Sequence, residues 1–284
     1  MSDVCTNGLD TGFIDLGYAK VAVLGVLQGI TELLPISSTA HMRVVPAMLG
    51  WADPGSAFSA AMQLAALLAV ITYFRHDVFS LLVGSTKAVI QRNWRSHSLH
   101  FALGIILGTI PIGLAGIALS GLLNQCDSPL RGLHVIGISC LVMAVLLALS
   151  ERLAAHRRVT DTVTWRDCLI VGIAQVGALI PGISRSGSTL TAALFLGFTR
   201  EDAAKFSFLL GLPAIALAGL KELAALSHAG IDAHGWSVLA VGLVVASISA
   251  FAAIWGLLKL LEKFSAWPFV IYRAALGILL LVAY

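Results

Sequence analysis

Charge is what this chain of 284 residues has least of: 18 Lys and Arg against 15 Asp and Glu, together 12% of the residues. Soluble domains carry about a quarter. A water-facing shell cannot be built from so few charges, which excludes soluble enzymes, disordered chains and nucleic-acid binders. The net charge of +3 is scattered, with no basic run that would suit a nucleic acid partner. Cysteine is also scarce. Cys5, Cys126, Cys140 and Cys168 show no CxxC spacing, and Cys140 and Cys168 fall in or beside apolar runs, so packing is their expected role. The N-terminus has no basic stretch ahead of its first apolar run and carries Asp3, Asp10 and Asp15 instead, so no cleaved signal peptide is expected. What the chain does have is apolar residues, 58% of the total, with a mean hydropathy of +0.92. The reading is an all-α polytopic membrane protein in a single membrane domain over 1–284.

A helix needs about 20 apolar residues to cross a bilayer. Phe58–Phe74, Phe101–Leu123, Leu133–Leu149, Phe206–Leu226, Trp236–Leu258 and Pro268–Tyr284 meet or approach that length. Two further apolar regions are broken by polar residues and proline: Phe13–Leu49 at Thr31–Arg43, and Cys168–Phe198 at Pro181–Thr189. Irregular backbone at membrane depth is tolerated only against protein or a water-filled cavity, so both read as hairpins that enter and return on one side; two ordinary spans joined by a short loop are the plainer alternative. Arg75, Lys87, Arg92 and Arg95 mark one basic loop, and Arg152, Arg157, Arg158 and Arg166 another, whereas Asn124–Gly132 holds only Arg131 and Ser227–Gly235 neither Lys nor Arg. Basic loops stay in the cytoplasm, which puts both termini outside.

The two halves, about 13–150 and 166–284, resemble each other. Superposed, Gln28 falls on Gln175, Gly25 on Gly172, Ser37 on Ser184 and Thr39 on Ser186; one further step brings Phe58-Ser59 onto Phe206-Ser207. Each half reads as a re-entrant hairpin plus three transmembrane helices. Three is odd, so the second half must lie upside down relative to the first. Two inverted-topology repeats would bring their polar tips together near the midplane, where such proteins build binding sites from helix ends.

The first tip runs from Gln28 through Glu32, Pro35, Ser37, Ser38 and Thr39 to His41. Gln28 and Glu32 share a helix face; Pro35 ends that helix, and the hydroxyls suit the cap of the next. A carboxylate at this depth is functional by default, although an acid paired only for assembly is the plainer alternative. His41 beside it suits a base or nucleophile. The second tip, Pro181 to Thr189, offers Ser184, Arg185, Ser186, Ser188 and Thr189 around glycines that allow close backbone approach. The fork of Arg185 matches phosphate oxygens; it would equally pair Glu32 across the repeats. Gln63 and Gln175 read as helix contacts, and Trp51, Trp94, Trp165, Trp236 and Trp267 as an interfacial belt.

Together these segments resemble the undecaprenyl-diphosphate phosphatase family of the bacitracin-resistance type, from about Tyr18 to Tyr284. The signature is Glu/Gln-x3-Glu leading into Pro-x-Ser-Ser-Thr-x-His, here Gln28 to His41, followed by Pro-Gly-x-Ser-Arg-Ser, here Pro181 to Ser186. The Pro-Ser-Gly-His element of phosphatidic-acid-phosphatase-like enzymes is absent. The resemblance implies hydrolysis of undecaprenyl diphosphate to undecaprenyl phosphate and inorganic phosphate. That reaction recycles the lipid carrier for peptidoglycan synthesis and confers bacitracin resistance. The implied place is the bacterial cytoplasmic (inner) membrane, with the site facing its outer, periplasmic side and a divalent cation, Mg²⁺ or Ca²⁺, as cofactor.

Family roles carry to Glu32, Ser38, His41, Ser184, Arg185 and Thr189. Gln28 departs from the glutamate of many members, and Ala40 from their glycine. The expected scheme has Glu32 hold the cation with weak help from Gln28. Arg185, Ser184 and Ser186 clamp phosphate oxygens, with Ser37, Thr39, Ser188 and Thr189 completing the cradle. Ser38 attacks while His41 takes its proton; His41 as nucleophile, or as activator of water, stays open. The lipid and the membrane are the partners, and a homodimer is an assembly left open. A polyprenyl-phosphate transporter or flippase is the alternative function.

Overall fold

The computed structural model describes residues 5–6, 9–123 and 128–283. Asp3, Cys126, Tyr284 and the first part of the loop Asn124–Gly132 lie outside the described residues. Among the described residues extended structure is limited to the antiparallel pair Cys5–Thr6 with Leu9–Asp10 and a bridge between Arg158 and Phe198. The rest of the regular structure is helical: α1 Phe13–Leu33, α2 Ser38–Leu49, α3 Ser56–Ala61, α4 Gln63–Tyr73, α5 Arg75–Ile90, α6 His97–Ala118, α7 Ser120–Leu123, α8 Leu133–Leu153, α9 Trp165–Gln175, α10 Arg185–Phe195, α11 Arg200–His228, α12 Ala233–Lys263 and α13 Trp267–Ala283.

Among the described residues six helical stretches are long and apolar enough to cross a membrane: α1, Ser56–Tyr73 (α3 with α4), α6, α8, α11 and α12. Five of these were expected as spans. The sixth, α1, was expected as the arm of a broken hairpin; its helix continues through Thr31 and Glu32 to Leu33, bent only at Gly17 (φ 70°, ψ 174°). The expected last span, α13, is a shorter apolar helix of 17 residues. The basic segment 75–100, expected as a loop, instead carries α5. Asp77 near its start accepts from Lys205 Nζ at 2.6 Å, and Ser85 Oγ donates to Ser98 O at 3.0 Å, tying it to α11 and to the start of α6.

Both polar breaks are shorter than their composition suggests. Leu34 precedes proline and is pushed extended (φ −71°, ψ 145°), ending α1, and α2 begins four residues on from Leu34, at Ser38. In the second half α9 runs on through a 3-10 turn, Val176–Leu179; Ile180, again before a proline, is extended, and α10 starts at Arg185. The N-cap residues Ser37 and Ser184 share an unusual left-handed backbone, φ 73° and 74°. Each uses its side chain as a cap: Ser37 Oγ accepts from Ala40 N–H at 3.4 Å and Ser184 Oγ from Gly187 N–H at 3.1 Å.

Packing follows a paired scheme. α1 lies along α12 and α9 along α6; α4 meets α12 and α11 meets α6; α8 pairs with α13, and α4 with α11. Glycine makes two of these contacts backbone-close. A β-carbon on Gly29 would stand 2.4 Å from Ala246 O, and one on Gly172 only 2.1 Å from Gly108 O, as small residues allow between helices in lipid. The exterior is apolar, with Ile106, Leu114, Ile117, Leu217, Val244 and Ile248 exposed, while Gln28, Glu32, Ser38, His41, Arg185 and Arg273 are inside. That inversion is what a lipid solvent demands.

Candidate active site

Glu32, in the last turn of α1, is the hub. Its Oε2 accepts from Gln28 Nε2, one turn earlier, at 3.0 Å and from Ser38 Oγ at 2.5 Å. Its Oε1 lies 3.4 Å from Arg185 Nη2, the first residue of α10, and the two side chains are only 4% and 9% exposed. A buried carboxylate and guanidinium satisfy each other's charge, but here incompletely: Arg185 Nε and Nη1 and Gln28 Oε1 are buried without a hydrogen-bond partner. Unspent donors and an unspent acceptor beside one ion pair mark a place prepared for a further polar group.

A cavity of about 140 Å³ opens over this cluster, lined by Glu32, Ser38, Thr39, Ser184, Arg185 and Gln63 among others. It continues into an apolar groove of about 540 Å³ between α6 and α11, with which it shares Ile112, Leu179, Ala214 and Ala218. Of the residues expected at the site, then, the fold brings Glu32, Ser38, Thr39, Ser184 and Arg185 onto one cavity, with Gln28 behind Glu32.

The others hold the two breaks in shape. Ser37 caps α2 and meets Thr39 Oγ1 at 3.1 Å, and Ser184 meets Ser186 Oγ at 3.2 Å. Ser186 Oγ reaches across the halves to the carbonyls of Glu32 and Leu34, at 3.1 and 3.0 Å. Ser188 and Thr189 donate back to Arg185 O at 3.0 and 2.8 Å, and Thr189 Oγ1 meets Ser207 Oγ at 2.5 Å.

His41 stands apart from that cavity. Its Nδ1 lies 2.7 Å from Ser37 O, which only accepts, so Nδ1 carries the proton; Nε2 then accepts from the Tyr272 hydroxyl at 2.6 Å, with the two rings stacked. Both ring nitrogens are therefore engaged, and Ser38 is hydrogen-bonded to Glu32 instead.

Sequence reasoning passed over Arg273, next to Tyr272. It is fully buried and among the described residues has no carboxylate partner; its Nη1 donates to Pro35 O at 2.9 Å and its Nη2 to Gly182 O and Ile183 O at 2.6 and 3.1 Å. One guanidinium thus fastens the carbonyls of both breaks. Gly182 must be glycine: its φ is 96° and a β-carbon would lie 2.8 Å from Ile136 O. An arginine inside an otherwise apolar last helix was the available signal. Gln63 lines the cavity rather than a helix contact, and Gln175, the match of Gln28, has both amide atoms buried and unpartnered.

The chain is similar to known proteins over most of its length. Residues 21–279 match the family described as bacitracin resistance protein BacA. The chain is 68% identical over 256 residues to undecaprenyl-diphosphatase 2 of Mesorhizobium japonicum, covering 90% of this chain and 97% of that one. It is 51% identical to the undecaprenyl-diphosphatase of Gloeobacter violaceus, over 94% and 91% of the two chains. With the match spanning nearly all of its helices, the chain belongs to the BacA family of bacitracin resistance proteins.

Proposed function

We infer that this protein is an integral membrane phosphatase that hydrolyses undecaprenyl diphosphate to undecaprenyl phosphate and inorganic phosphate. The observation that carries it is Ser38 Oγ held 2.5 Å from Glu32 Oε2 in a cavity that Arg185 also lines. A hydroxyl on a carboxylate is a nucleophile with its base already in place, and the free Nε and Nη1 of Arg185 suit phosphate oxygens. The adjoining apolar groove gives an isoprenoid tail somewhere to lie. The relatives' names point to the same substrate.

In this reading Ser38 Oγ attacks the terminal phosphorus as Glu32 Oε2 takes its proton, and the bond to the bridging oxygen breaks with undecaprenyl phosphate as leaving group. Water then releases phosphate from Ser38. Arg185 offsets the charge that develops on the phosphoryl oxygens, the kind of preorganised contact that usually contributes most to such a reaction. Glu32 thus replaces His41 as the base; His41 and Tyr272 hold the first residues of α2 in place.

Glu32 and the unpartnered Oε1 of Gln28 are also suitable donors for Mg²⁺ or Ca²⁺. Among the described residues no three His, Cys, Asp or Glu side chains form a metal cage, so phosphate oxygens would complete the shell, as is usual for Mg²⁺. When bound, such a cation supplies Lewis-acid charge at the phosphates.

The fold reading is of two inverted-topology repeats, each a re-entrant hairpin plus three spans. Two features support it: the matched left-handed caps at Ser37 and Ser184, and the way exchanging the halves turns α1 on α12 into α9 on α6 and α4 on α12 into α11 on α6. The family resemblance favours the cytoplasmic membrane of a bacterium with the site facing outward, and the basic segments orient the helices with their Lys- and Arg-rich ends in the cytoplasm.

The test is phosphate release from undecaprenyl diphosphate by purified protein in detergent, with Ser38→Ala, Glu32→Gln and His41→Gln in parallel. The first two variants should lose about a thousandfold or more, and the third clearly less. No phosphate release by the unaltered protein would overturn the phosphatase reading in favour of lipid transport. A His41 loss as deep as that of Glu32 would return the base to the imidazole.

A further inference from the structure

Next to the catalytic cavity lies a second one, which the mechanism does not use. It measures about 150 Å³ and shares Thr39, Gln63 and Leu179 with the first; Arg43, Ser128 and Arg131 line its far part. Arg43, on α2, and Arg131, just before α8, both reach Asp53: Arg43 Nη1 and Arg131 Nη2 stand 2.7 and 2.9 Å from the same Oδ2. Asp53 Oδ1 is occupied by the N–H of Gly55 at 3.1 Å. Among the described residues two guanidinium groups face one carboxylate here, which leaves a positive charge in excess.

The donors here are also unspent. Arg43 Nε, Arg131 Nη1 and Ser128 Oγ are buried without partners, and Ser128 is only 5% exposed. Burying polar hydrogens unpaired is unfavourable by about 1–3 kcal/mol each, so a site that keeps three of them together is built for an acceptor. The volume holds about five waters, enough room for a tetrahedral oxyanion. Both arginines sit on segments poor in other basic residues, so this charge is local to the cavity.

We propose that this cavity is a phosphate-binding vestibule, through which a phosphate group passes between the molecular surface and the catalytic cavity. The proposal rests on the phosphatase reading for its ligand. The phosphate is either the diphosphate head of the incoming lipid or the inorganic phosphate released from it, and the recognition chemistry is the same.

The experiment measures KM, kcat and inhibition by inorganic phosphate for the unaltered protein, Arg131→Gln and Asp53→Asn. Losing a guanidinium should weaken phosphate handling about tenfold, as expected for a charge-assisted contact. Losing the carboxylate, which Asn replaces while keeping the acceptor for Gly55, should strengthen it. A change in KM at constant kcat identifies the lipid head as the passenger, and a change in phosphate inhibition alone identifies the product.

Shifts of opposite sign in the two variants support the vestibule. Shifts of the same sign, or none beyond twofold, overturn it and leave the Arg43–Asp53–Arg131 cluster as a structural fastening. If Arg131→Gln does not fold, Asp53→Asn alone decides: tighter phosphate inhibition supports the proposal, and unchanged or weaker inhibition overturns it. If the unaltered protein hydrolyses nothing, the functional reading fails on its own. Calorimetric titration of the same three proteins with inorganic phosphate then still reads the vestibule, by the same opposite shifts.

Discussion

Gly211, in the middle of α11, faces Arg185 so closely that a β-carbon added to it would lie 1.9 Å from Nη1. The absence of a side chain on one helix is therefore what gives the guanidinium of another its position. Gly211→Ala should push Arg185 aside and lower kcat by about 10–100-fold, approaching the 10²–10³ expected for removing one oxyanion-binding group in Arg185→Ala. Its thermal midpoint should stay near that of the unaltered protein, because the clashing atom is the end of a flexible chain. Gly256→Ala, where nothing lies within 4 Å, is the control. Normal turnover by Gly211→Ala would mean that the observed pose of Arg185 is not the working one.

Gln28→Glu puts a second carboxylate beside Glu32. In the presence of chelator the like charges should lower the thermal midpoint, and Mg²⁺ or Ca²⁺ should restore it. The cation concentration for half-activation should fall about tenfold, since charge count tunes such sites. A variant whose midpoint ignores both chelator and cation would remove Glu32 and Gln28 from the list of metal ligands.

Arg273→Met keeps an unbranched apolar stem and deletes the guanidinium donors. The carbonyls of Pro35, Gly182 and Ile183 then lose a common partner, which should destabilise the protein by about 3 kcal/mol or more. Arg273→Lys, with a single point of charge, should fall between. Thermal unfolding in detergent reads both, and a midpoint within a degree of the unaltered protein would show that the two breaks hold themselves.

At the rim formed by the first turn of α9, burial pushes the Asp167 carboxyl up, but hydrogen bonds from Arg158 and Thr164 outweigh it and hold it below the usual carboxylate range. A depressed folded value means that the carboxylate stabilises this rim above the ordinary value, about 3.9, and that the contribution fades as pH falls through the folded value. Amide protection across Thr164–Cys168, corrected for intrinsic exchange, should therefore hold from neutrality to about pH 4 and drop below it. In Asp167→Asn the protection should be lower and flat. Protection in the unaltered protein that ignores pH throughout would show that the Arg158 pair does not fasten the loop.

Much of this arrangement is legible in the chain. Proline, hydroxyls and isolated charges inside apolar runs located both breaks and singled out Glu32, Ser38 and Arg185, which the fold brings onto one cavity. The setting of His41 was not legible. Ser38 and His41 share α2, yet Ser38 Oγ is bonded to Glu32 while the His41 ring is held by Ser37 O and the Tyr272 hydroxyl, a partner 231 residues away along the chain. Tyr272 and Arg273 were hidden by their distance along the chain from the sites they touch. α5 was hidden by its polarity: a helix that does not cross the membrane needs no long apolar run. The glycines looked like ordinary packing, and only coordinates show that Gly108 and Gly172 touch through their backbones.

Those backbone contacts also decide which parts of the protein are able to move. Two helices whose main chains meet without intervening side chains interlock like gear teeth, and neither slides along the other without collision. α1 is geared to α12 at Gly29 and α9 to α6 at Gly172, so both arms that carry the polar breaks are immobilised against their neighbours. The groove side of α6 is packed more loosely: a β-carbon on Gly113 would meet nothing within 4 Å, and one on Gly116 only Leu179 at 4.0 Å.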